Sequence, residues 1–258
     1  MPAPVLRACA AAALSKAERG HHAVSAASDQ QDALATLTKH RMLGRMSRAD
    51  LEELARTARP RVLAARERLF AMGDSGNALI ILVSGWIKLS RTGANGRDIV
   101  LELAGAGSVF GELAAITGTP RGADAIALAP TRVLQVNGNA LLAALKRNPD
   151  ALLELTRIVC ERLARVNAQL EDTLSVSAEV RLARALIRLA AMNESPTPDG
   201  LLVDLGLSQK ELGDVTGQSR EGTNKQLAIW RDAGLIRLDG RVVELIDHRG
   251  LQRIADMA

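Results

Sequence analysis

The sequence is poor in aromatic residues: two Trp, two Phe and no Tyr occur among its 258 residues. The core must therefore be built mainly from Ala, Leu, Val and Ile, and apolar residues make up 47% of the chain. The longest apolar run, Ala78 to Val83, is far shorter than the roughly 20 residues that cross a bilayer, so no membrane contact is predicted. This balance is typical of a soluble globular protein.

Cysteine and histidine are also scarce. Cys9 and Cys160 are the only cysteines and lie far apart, which excludes a disulfide framework and favours a reducing, cytoplasmic location. Two thiols cannot supply the roughly four cysteine ligands of an iron–sulfur cluster. The four His residues have no metal-ligand spacing, and no Ser/His/Asp set or Walker-type loop occurs. Neither a metal site nor an enzyme is expected.

Hydrophobic periodicity divides the chain into regions. Residues 1–28 are predicted to be a poorly ordered extension, because their Ala-rich stretch runs into a charged flank that fits poorly with a secretory leader. Residues 29–58 and 139–176 have leucines at helical spacing, whereas residues 62–136 contain short apolar runs separated by glycines. Asn95-Gly96 between two of these runs predicts a hairpin, since both residues tolerate positive φ. The middle region is therefore predicted to be a small β-barrel or sandwich.

The second long helical segment has one apolar stripe whose members recur three or four residues apart. Its members are Leu152, Leu155, Val159, Leu163, Val166, Leu170 and Leu174. A single stripe on a helix of this length needs a partner surface. Two alternatives remain open from the pattern: packing against the chain's own barrel, or a two-helix dimer seam.

The carboxy-terminal region has the signature of a helix-turn-helix. Ser208 and Glu211 form a capping box, Gly217 is placed to end that helix, and Ser219 caps a second helix that starts at Arg220. A second helix of this kind reads base edges with its first residues. The candidate contact residues are Ser219, Arg220, Glu221, Asn224 and Lys225. An ordinary solvated helix face is the alternative interpretation.

The residues after this second helix favour the DNA-reading interpretation. Leu235–Leu238 and Arg241–Ile246 flank Asp239-Gly240, which predicts a compact hairpin and hence a winged helix-turn-helix. Residues 178–258 contain 11 Lys/Arg and 12 Asp/Glu, a net charge of −1. Any DNA-binding face must therefore gather its positive residues on one side.

At this point the chain resembles the Crp/Fnr superfamily of bacterial transcription regulators over about residues 35–250. The similarity is carried by Gly73-Asp74, Gly85, Phe110–Leu113, Pro120-Arg121, the long helix and Ser219–Glu221. It implies an α+β fold with an amino-terminal cyclic-nucleotide-binding β-barrel of jelly-roll type over residues 29–148. A dimerisation helix over residues 149–176 and a winged helix-turn-helix over residues 177–258 would follow. The dimer seam is the interpretation of the apolar stripe that the resemblance favours.

The resemblance also implies a phosphate-binding cassette from Gly111 to Ala123. Glu112 would take the ribose hydroxyl of a cyclic nucleotide, Arg121 would pair with its phosphate, and Gly111 would offer its N–H; Leu113 and Gly122 lie in the same segment. Gly122 stands where cyclic-AMP binders have a hydroxyl residue, and Val166-Asn167 where they have Thr-Ser, which argues against cyclic-AMP recognition in the usual manner. The alternative is that Glu112 and Arg121 form only a structural salt bridge.

The sequence therefore predicts a homodimeric regulator that binds a two-fold-related site on double-stranded DNA, with a cyclic nucleotide as the candidate effector and RNA polymerase as a further partner. Lys225 replaces an Arg that family members use in base reading, and it cannot form the same two-pronged contact. A second hypothesis is a cyclic-nucleotide-binding module that acts on a protein partner. The winged helix-turn-helix argues against that second hypothesis.

Overall fold

The computed structural model describes residues 26–93, 96, 98–193, 200–204 and 206–257. Most of the predicted extension at residues 1–28 lies outside this range, but helix α1 already begins at Ala26. The fold is α+β, as expected: two four-stranded antiparallel sheets, a long helix, and a helical domain with a three-stranded sheet.

The helical prediction for residues 29–58 corresponds to two helices with a short turn between them. The chain forms α1 (Ala26–Lys39), a 3-10 turn (Leu43–Arg45) and α2 (Arg48–Thr57). The break occurs at the buried His40, whose Nδ1 accepts the backbone N–H groups of Met42 and Leu43 at 3.2 and 3.4 Å. Its Nε2 lies 3.2 Å from the carbonyl oxygen of Gly107. The imidazole thus replaces helical hydrogen bonds and ties this segment to the sheets.

Eight strands form two sheets in the amino-terminal domain, residues 26–148, which is named the sensing domain after its predicted role. The sheets have a jelly-roll arrangement and do not form one closed barrel. One sheet has the order β1-β8-β3-β6 and the other β2-β7-β4-β5. The strands are β1 (Arg59–Leu63), β2 (Arg68–Phe70), β3 (Ala78–Ser84), β4 (Ile87–Thr92), β5 (Asp98–Ala104), β6 (Val109–Phe110), β7 (Asp124–Ala127) and β8 (Thr131–Asn137). The predicted β4–β5 hairpin is confirmed by their antiparallel pairing; Gly96 in its loop has a φ of +72°, and Asn95 lies outside the described residues.

Strand β3 is buried on both faces, which explains its unbroken apolar sequence. Ile80 and Leu82 face Phe110 and other side chains between the two sheets. Leu79 and Ile81 join the core formed with the surrounding helices. The strand therefore holds the sheets and the helices of the sensing domain together.

The helical prediction for residues 139–176 corresponds to two helices, α4 (Gly138–Arg147) and α5 (Pro149–Ser175), with the short helix α3 (Glu112–Thr117) earlier in the chain. Asn148 separates α4 from α5, because Pro149 has no N–H to continue the first helix. The Asn148 amide donates to Asp50 and to the Ala144 carbonyl, both at 2.7 Å, so the corner is fixed against α2.

The carboxy-terminal domain contains the predicted winged helix-turn-helix. Its elements are α6 (Ala178–Asn193), β9 (Leu201–Val203), α7 (Gln209–Thr216), α8 (Arg220–Asp232), β10 (Ile236–Asp239), β11 (Val242–Leu245) and α9 (His248–Ala255). The wing turn is one residue later than predicted: Asp239 pairs with Val242, so Gly240 and Arg241 form the turn. Its apolar core also includes Leu103 and Leu128 of the sensing domain, so the two domains are in contact.

Candidate nucleic-acid interface and ligand pocket

Local capping interactions set the geometry of the helix-turn-helix. The Ser208 hydroxyl accepts the Glu211 N–H at 3.2 Å and the Glu211 carboxylate accepts the Ser208 N–H at 2.9 Å, which confirms the capping box. Helix α7 ends at Gly217, which has a φ of +69°. This value lies in the left-handed region, which glycine adopts more readily than other residues. A Cβ on Gly213 would lie 2.9 Å from the Thr223 hydroxyl oxygen. This glycine therefore lets α7 and α8 cross closely.

The rotation of α8 about its axis is fixed by its buried face. Leu227 and Trp230 are buried, and the Trp230 indole N–H donates to the Glu179 carboxylate of α6 at 3.3 Å. The opposite face carries Arg220, Glu221 and Lys225, which are exposed. Within the part of the chain that the structure describes, these three side chains have no hydrogen bond or ion pair. They are held at the start of the helix with their polar groups available to a ligand.

The other two predicted contact residues have different surroundings. Ser219 is exposed, and its hydroxyl accepts the Gly222 N–H at 3.1 Å as the N-cap of α8. Asn224 is half-buried, and its Oδ1 is buried with no donor among the described residues. An acceptor left in this state costs about 1–3 kcal/mol. Their roles in base reading stay predictions.

Several acidic residues of this domain are paired with a neighbouring cation. Ion pairs join Lys210 with Asp214 at 3.1 Å, Arg231 with Asp232 at 2.8 Å, and Arg237 with Glu244 at 2.5 Å. Local pairing removes much of their field at a distance. Each pair cancels one charge of either sign, so pairing leaves the net charge of the domain unchanged; the face at the start of α8 carries the charges of Arg220, Glu221 and Lys225, which sum to +1.

In the sensing domain, Arg121 lies in a space left by glycines. A Cβ on Gly76 would lie 2.2 Å from its guanidinium, and one on Gly111, whose φ is +78°, would lie 2.3 Å away. Arg121 is 7% exposed and donates to the carbonyls of Gly111 and Ala78 at 3.2 and 3.0 Å. Its guanidinium carbon lies 4.4 Å from the centre of the Phe70 ring.

Among the described residues, Arg121 thus has two carbonyl hydrogen-bond partners but no carboxylate partner. Burial lowers the pKa of Arg121, an effect that the charges of Glu112 and Asp74 oppose. Since burying an unpaired cation is unfavourable, this arrangement suits an additional anion at Arg121.

Glu112 binds a residue that the sequence analysis missed. Its carboxylate pairs with Arg162 of α5, which also lies 2.9 Å from the Glu102 carboxylate and donates to the Val109 carbonyl at 2.7 Å. The alternative salt bridge between Glu112 and Arg121 is therefore not present. Arg162 follows the buried Leu155 by seven residues, which places both on one helical face and is the signal that could have found it.

The remaining predicted effector residues are exposed or half-buried in this single chain. Leu113 is 57% exposed, Gly122 and Asn167 are exposed, and Ala123 is half-buried. Asn167 makes no hydrogen bond to any described residue. Their participation in effector binding stays a prediction.

The apolar stripe of α5 is mostly uncovered. Leu155 is buried in the core of its own domain, whereas Leu163, Leu170 and Leu174 are 59%, 58% and 79% exposed. Leu152, Val159 and Val166 are also exposed. Contiguous exposed apolar surface of this kind marks interaction sites. Packing against the chain's own barrel therefore accounts for Leu155 but not for the rest of the stripe.

An ion-pair cluster joins the helix-turn-helix to the sensing domain. The Glu211 carboxylate lies 3.2 Å from Lys88 of β4 and 2.5 Å from Arg66, which also donates to the Gly206 carbonyl at 2.6 Å. Lys88 is only 4% exposed. Although burial raises the pKa of Glu211, the hydrogen bonds from Ser208 and Arg66 and the charge of Lys88 outweigh it and lower this pKa to about 2.

Two further kinds of site are not found in the described part of the chain. None of its helices is long and apolar enough to cross a membrane. No group of three or more His, Cys, Asp or Glu residues there is arranged to hold a metal ion.

Two family models match this chain. The cyclic nucleotide-binding domain matches residues 60–148, and the Crp-like helix-turn-helix domain matches residues 180–254. The first match contains the Arg121 pocket and the second contains α7, α8 and the wing.

The chain is similar to known transcription regulators over most of their length. The chain is 33% identical over 187 residues to a CRP-like cAMP-activated global transcriptional regulator of Mycobacterium tuberculosis, covering 72% of this chain and 84% of that protein. It is 29% identical to the cyclic AMP receptor protein of Thermus thermophilus, with 72% and 83% covered. A solved CRP-family transcriptional regulator from Thermus thermophilus superposes with a TM-score of 0.67 at 28% identity, covering 77% of this chain and 97% of that one.

Proposed function

This chain belongs to the Crp/Fnr family of DNA-binding transcription regulators, and from that premise we propose that it acts as a homodimer on a two-fold-related operator, under the control of a cyclic nucleotide bound at Arg121. The family consists of regulators rather than enzymes. The unpaired Arg220, Glu221 and Lys225 side chains at the start of α8 are the observation that carries the DNA-reading part of the proposal.

The chemistry of these side chains fits base reading. The Arg220 guanidinium has the geometry to donate two hydrogen bonds to O6 and N7 of guanine, while the Glu221 carboxylate accepts from N4 of cytosine. Lys225 lies about one turn later on the same face and offers a single flexible charge. Arg220 and Glu221 should therefore specify bases more strictly than Lys225.

The exposed stripe of α5 supports the dimer. Two copies of α5 would bury Leu163, Leu170 and Leu174 against each other and remove from water a surface that one chain leaves uncovered. A dimer with two α8 helices reads two half-sites about 10–10.5 base pairs apart, centre to centre. A regulator placed on promoter DNA in this way would have RNA polymerase as its protein partner.

The buried Arg121 supports an anionic effector in the sensing domain. Its guanidinium has no carboxylate partner in the part of the chain that the structure describes, and the charge of Glu112 at the start of α3 acts on it. The Oε2 of Glu112 is buried without a donor among the described residues, so it can accept a ligand hydroxyl. The relative from Mycobacterium tuberculosis is named as cAMP-activated. Gly122 and Val166 stand at two positions where cyclic-AMP binders have a hydroxyl side chain. We therefore infer that a cyclic nucleotide makes fewer hydrogen bonds through its phosphate and its base here than it would with Ser or Thr at these positions.

Calorimetry with the full chain tests the effector. Cyclic AMP, cyclic GMP and cyclic-di-GMP are titrated into the wild type and into Arg121→Gln, with Arg132→Gln on the exposed face of β8 as the matched control. The proposal predicts that at least one nucleotide binds, and that Arg121→Gln weakens this binding by about tenfold or more, the size of one lost charged hydrogen bond. Equal binding to the Arg121→Gln variant would contradict the assignment of Arg121.

A further inference from the structure

The long helix α5 and the carboxy-terminal domain are joined by a connection of two residues, Val176 and Ser177. Helix α5 ends at Ser175 and α6 begins at Ala178. Val176 is extended, with φ −117° and ψ 158°, and the Ser177 hydroxyl accepts the Val180 N–H at 3.3 Å as a helix cap does. A short extended connection between two helices can act as a hinge. The angle at this joint therefore depends on the side chains that cross it.

Arg181 of α6 crosses the joint towards the helix-turn-helix. Its guanidinium donates to the carbonyls of Val176 at the joint and of Thr216 at the end of α7, at 2.7 and 3.1 Å. The amide of Gln218, in the turn between α7 and α8, donates to the first carbonyl of α6 at 2.6 Å. Arg220 follows Thr216 by four residues, which is at most about 14 Å of extended chain. These hydrogen bonds thus tie the start of the recognition helix α8 to the end of α5.

Arg184 lies one turn later on α6 and crosses the joint towards α9. Its guanidinium pairs with Asp172 in the last turn of α5 and donates to the Ala255 carbonyl at the end of α9 at 2.7 Å. Helix α9 follows the wing strand β11 after two residues, and its Leu251 and Ala255 are buried in the core of the carboxy-terminal domain. Each of the two arginines therefore bonds the end of α5 and one further element of that domain.

We propose that Arg181 and Arg184 are positioning residues that set the separation of the two recognition helices in the dimer, and with it the half-site spacing that the regulator accepts. This proposal rests on the homodimer proposed above. Because the seam holds the two α5 helices together, a change of angle at the joint displaces both α8 helices in a symmetric dimer.

The geometry of DNA makes the spacing sensitive to such a displacement. One base pair corresponds to about 3.4 Å along the DNA axis. An added base pair also turns the second half-site by about 34–36° around that axis, since a helical turn takes 10–10.5 base pairs. A rigid joint therefore favours one spacing, whereas a loosened joint also accepts the neighbouring ones.

Mobility-shift assays with the full chain test the proposal on three DNA duplexes. These are the operator selected by the wild type from a random pool, the same operator with one base pair inserted between its half-sites, and a single half-site. The wild type should prefer the selected operator to the one with the insertion. The ratio of these two affinities should fall by about five- to tenfold in Arg181→Met and Arg184→Met, the factor that corresponds to one or two lost hydrogen bonds.

Two further variants complete the experiment. Gln218→Ala removes a surface hydrogen bond across the joint and no charge, so it tests the proposal even if an arginine variant does not fold, and it should lower the ratio in the same direction. Arg249→Met, at an exposed position of α9, is the matched control and should keep the wild-type ratio.

The affinity ratio separates a positioning role from a structural one. A residue that only stabilises the fold would weaken binding to all three duplexes by the same factor, and an unchanged ratio in Arg181→Met, Arg184→Met and Gln218→Ala would overturn the proposal. A wild type that binds the single half-site as tightly as the selected operator would instead overturn the dimer on which the proposal rests. The two failures are therefore distinguishable.

Discussion

Replacing Glu211 by Gln should destabilise the chain, because this carboxylate is the centre of the contact between the helix-turn-helix and the sensing domain. Its partners Lys88 and Arg66 lie 3.2 and 2.5 Å away. The glutamine amide would keep an oxygen for the capping box but lose the charge. Lys88, which is 4% exposed, would then keep Asp98 at 3.6 Å as its one ionic partner among the described residues.

Two independent estimates of the stability lost in Glu211→Gln agree. The Glu211 pKa falls from 4.5 to about 2, and a shift of that size corresponds to about 3 kcal/mol of stability near neutral pH. Removing one partner of a buried pair typically costs about 3–5 kcal/mol. Arg66 is partly exposed and becomes hydrated again, so the lower end of this range applies. For a chain of this size, about 3 kcal/mol lowers Tm by about 6–12 °C.

Thermal unfolding followed by circular dichroism at pH 7 measures the effect in Glu211→Gln, Lys88→Met and the double variant. The double variant should be more stable than the sum of the two single losses predicts, with a coupling of about 1–3 kcal/mol. Arg48→Met, which removes the exposed ion pair between Arg48 and Glu52 on α2, is the control and should change stability by less than about 1 kcal/mol. A Glu211→Gln variant as stable as the wild type, or additive losses in the double variant, would refute the reasoning.

The dimer seam, the base contacts and the acid stability of the chain can each be tested separately. Leu163→Glu should convert the dimer into a monomer in sedimentation experiments, because each dimer loses two buried leucines worth roughly 1.5–3 kcal/mol each. The control Val62→Glu, at an exposed position of β1, should leave the dimer intact. An unchanged dimer in Leu163→Glu would exclude the α5 seam. Arg220→Ala should weaken DNA binding by about 1–3 kcal/mol and reduce the base preference at one position of the operator in a series of mobility-shift assays. The control Arg231→Ala, near the end of α8, should leave the base preference unchanged. An unaltered base preference in Arg220→Ala would show that Arg220 does not read a base. Because the folded-state pKa of Glu211 is lowered, the stability that its charge contributes is complete above about pH 4.5 and is lost as the pH falls towards about 2. In that window the free energy of unfolding of Glu211→Gln should therefore fall less steeply with pH than that of the wild type. Parallel curves for the two proteins would contradict the lowered pKa.

The helix-turn-helix could be predicted from the sequence because its signals are local. Ser208 and Glu211 are three residues apart, and Gly217 marks the end of α7 by its backbone conformation alone. The predicted wing turn lies one residue too early because Asp239-Gly240 and Gly240-Arg241 are both turn-forming pairs, and only the pairing of Asp239 with Val242 decides between them. Strand β9 is three residues long and too short to show alternation.

The parts that could not be predicted depend on residues distant in sequence. The capping box is a sufficient local reason for a Glu at position 211. The sequence pattern therefore gives no sign of its ion pairs with Arg66 and Lys88, which belong to the sensing domain. Arg162 similarly acquires its role from Glu102 and Glu112 on other elements. The break at His40 arises from side-chain hydrogen bonds that helical periodicity does not encode.

Footprinting of the full chain on a DNA sequence selected from a random pool tests the central claim most directly. The account predicts two protected half-sites related by two-fold symmetry and separated by about 10–10.5 base pairs, centre to centre. Protection should be lost at matched concentration in Arg220→Ala, where the exposed guanidinium at the start of α8 is removed. A single protected half-site, or no retained DNA even at low salt, would contradict it.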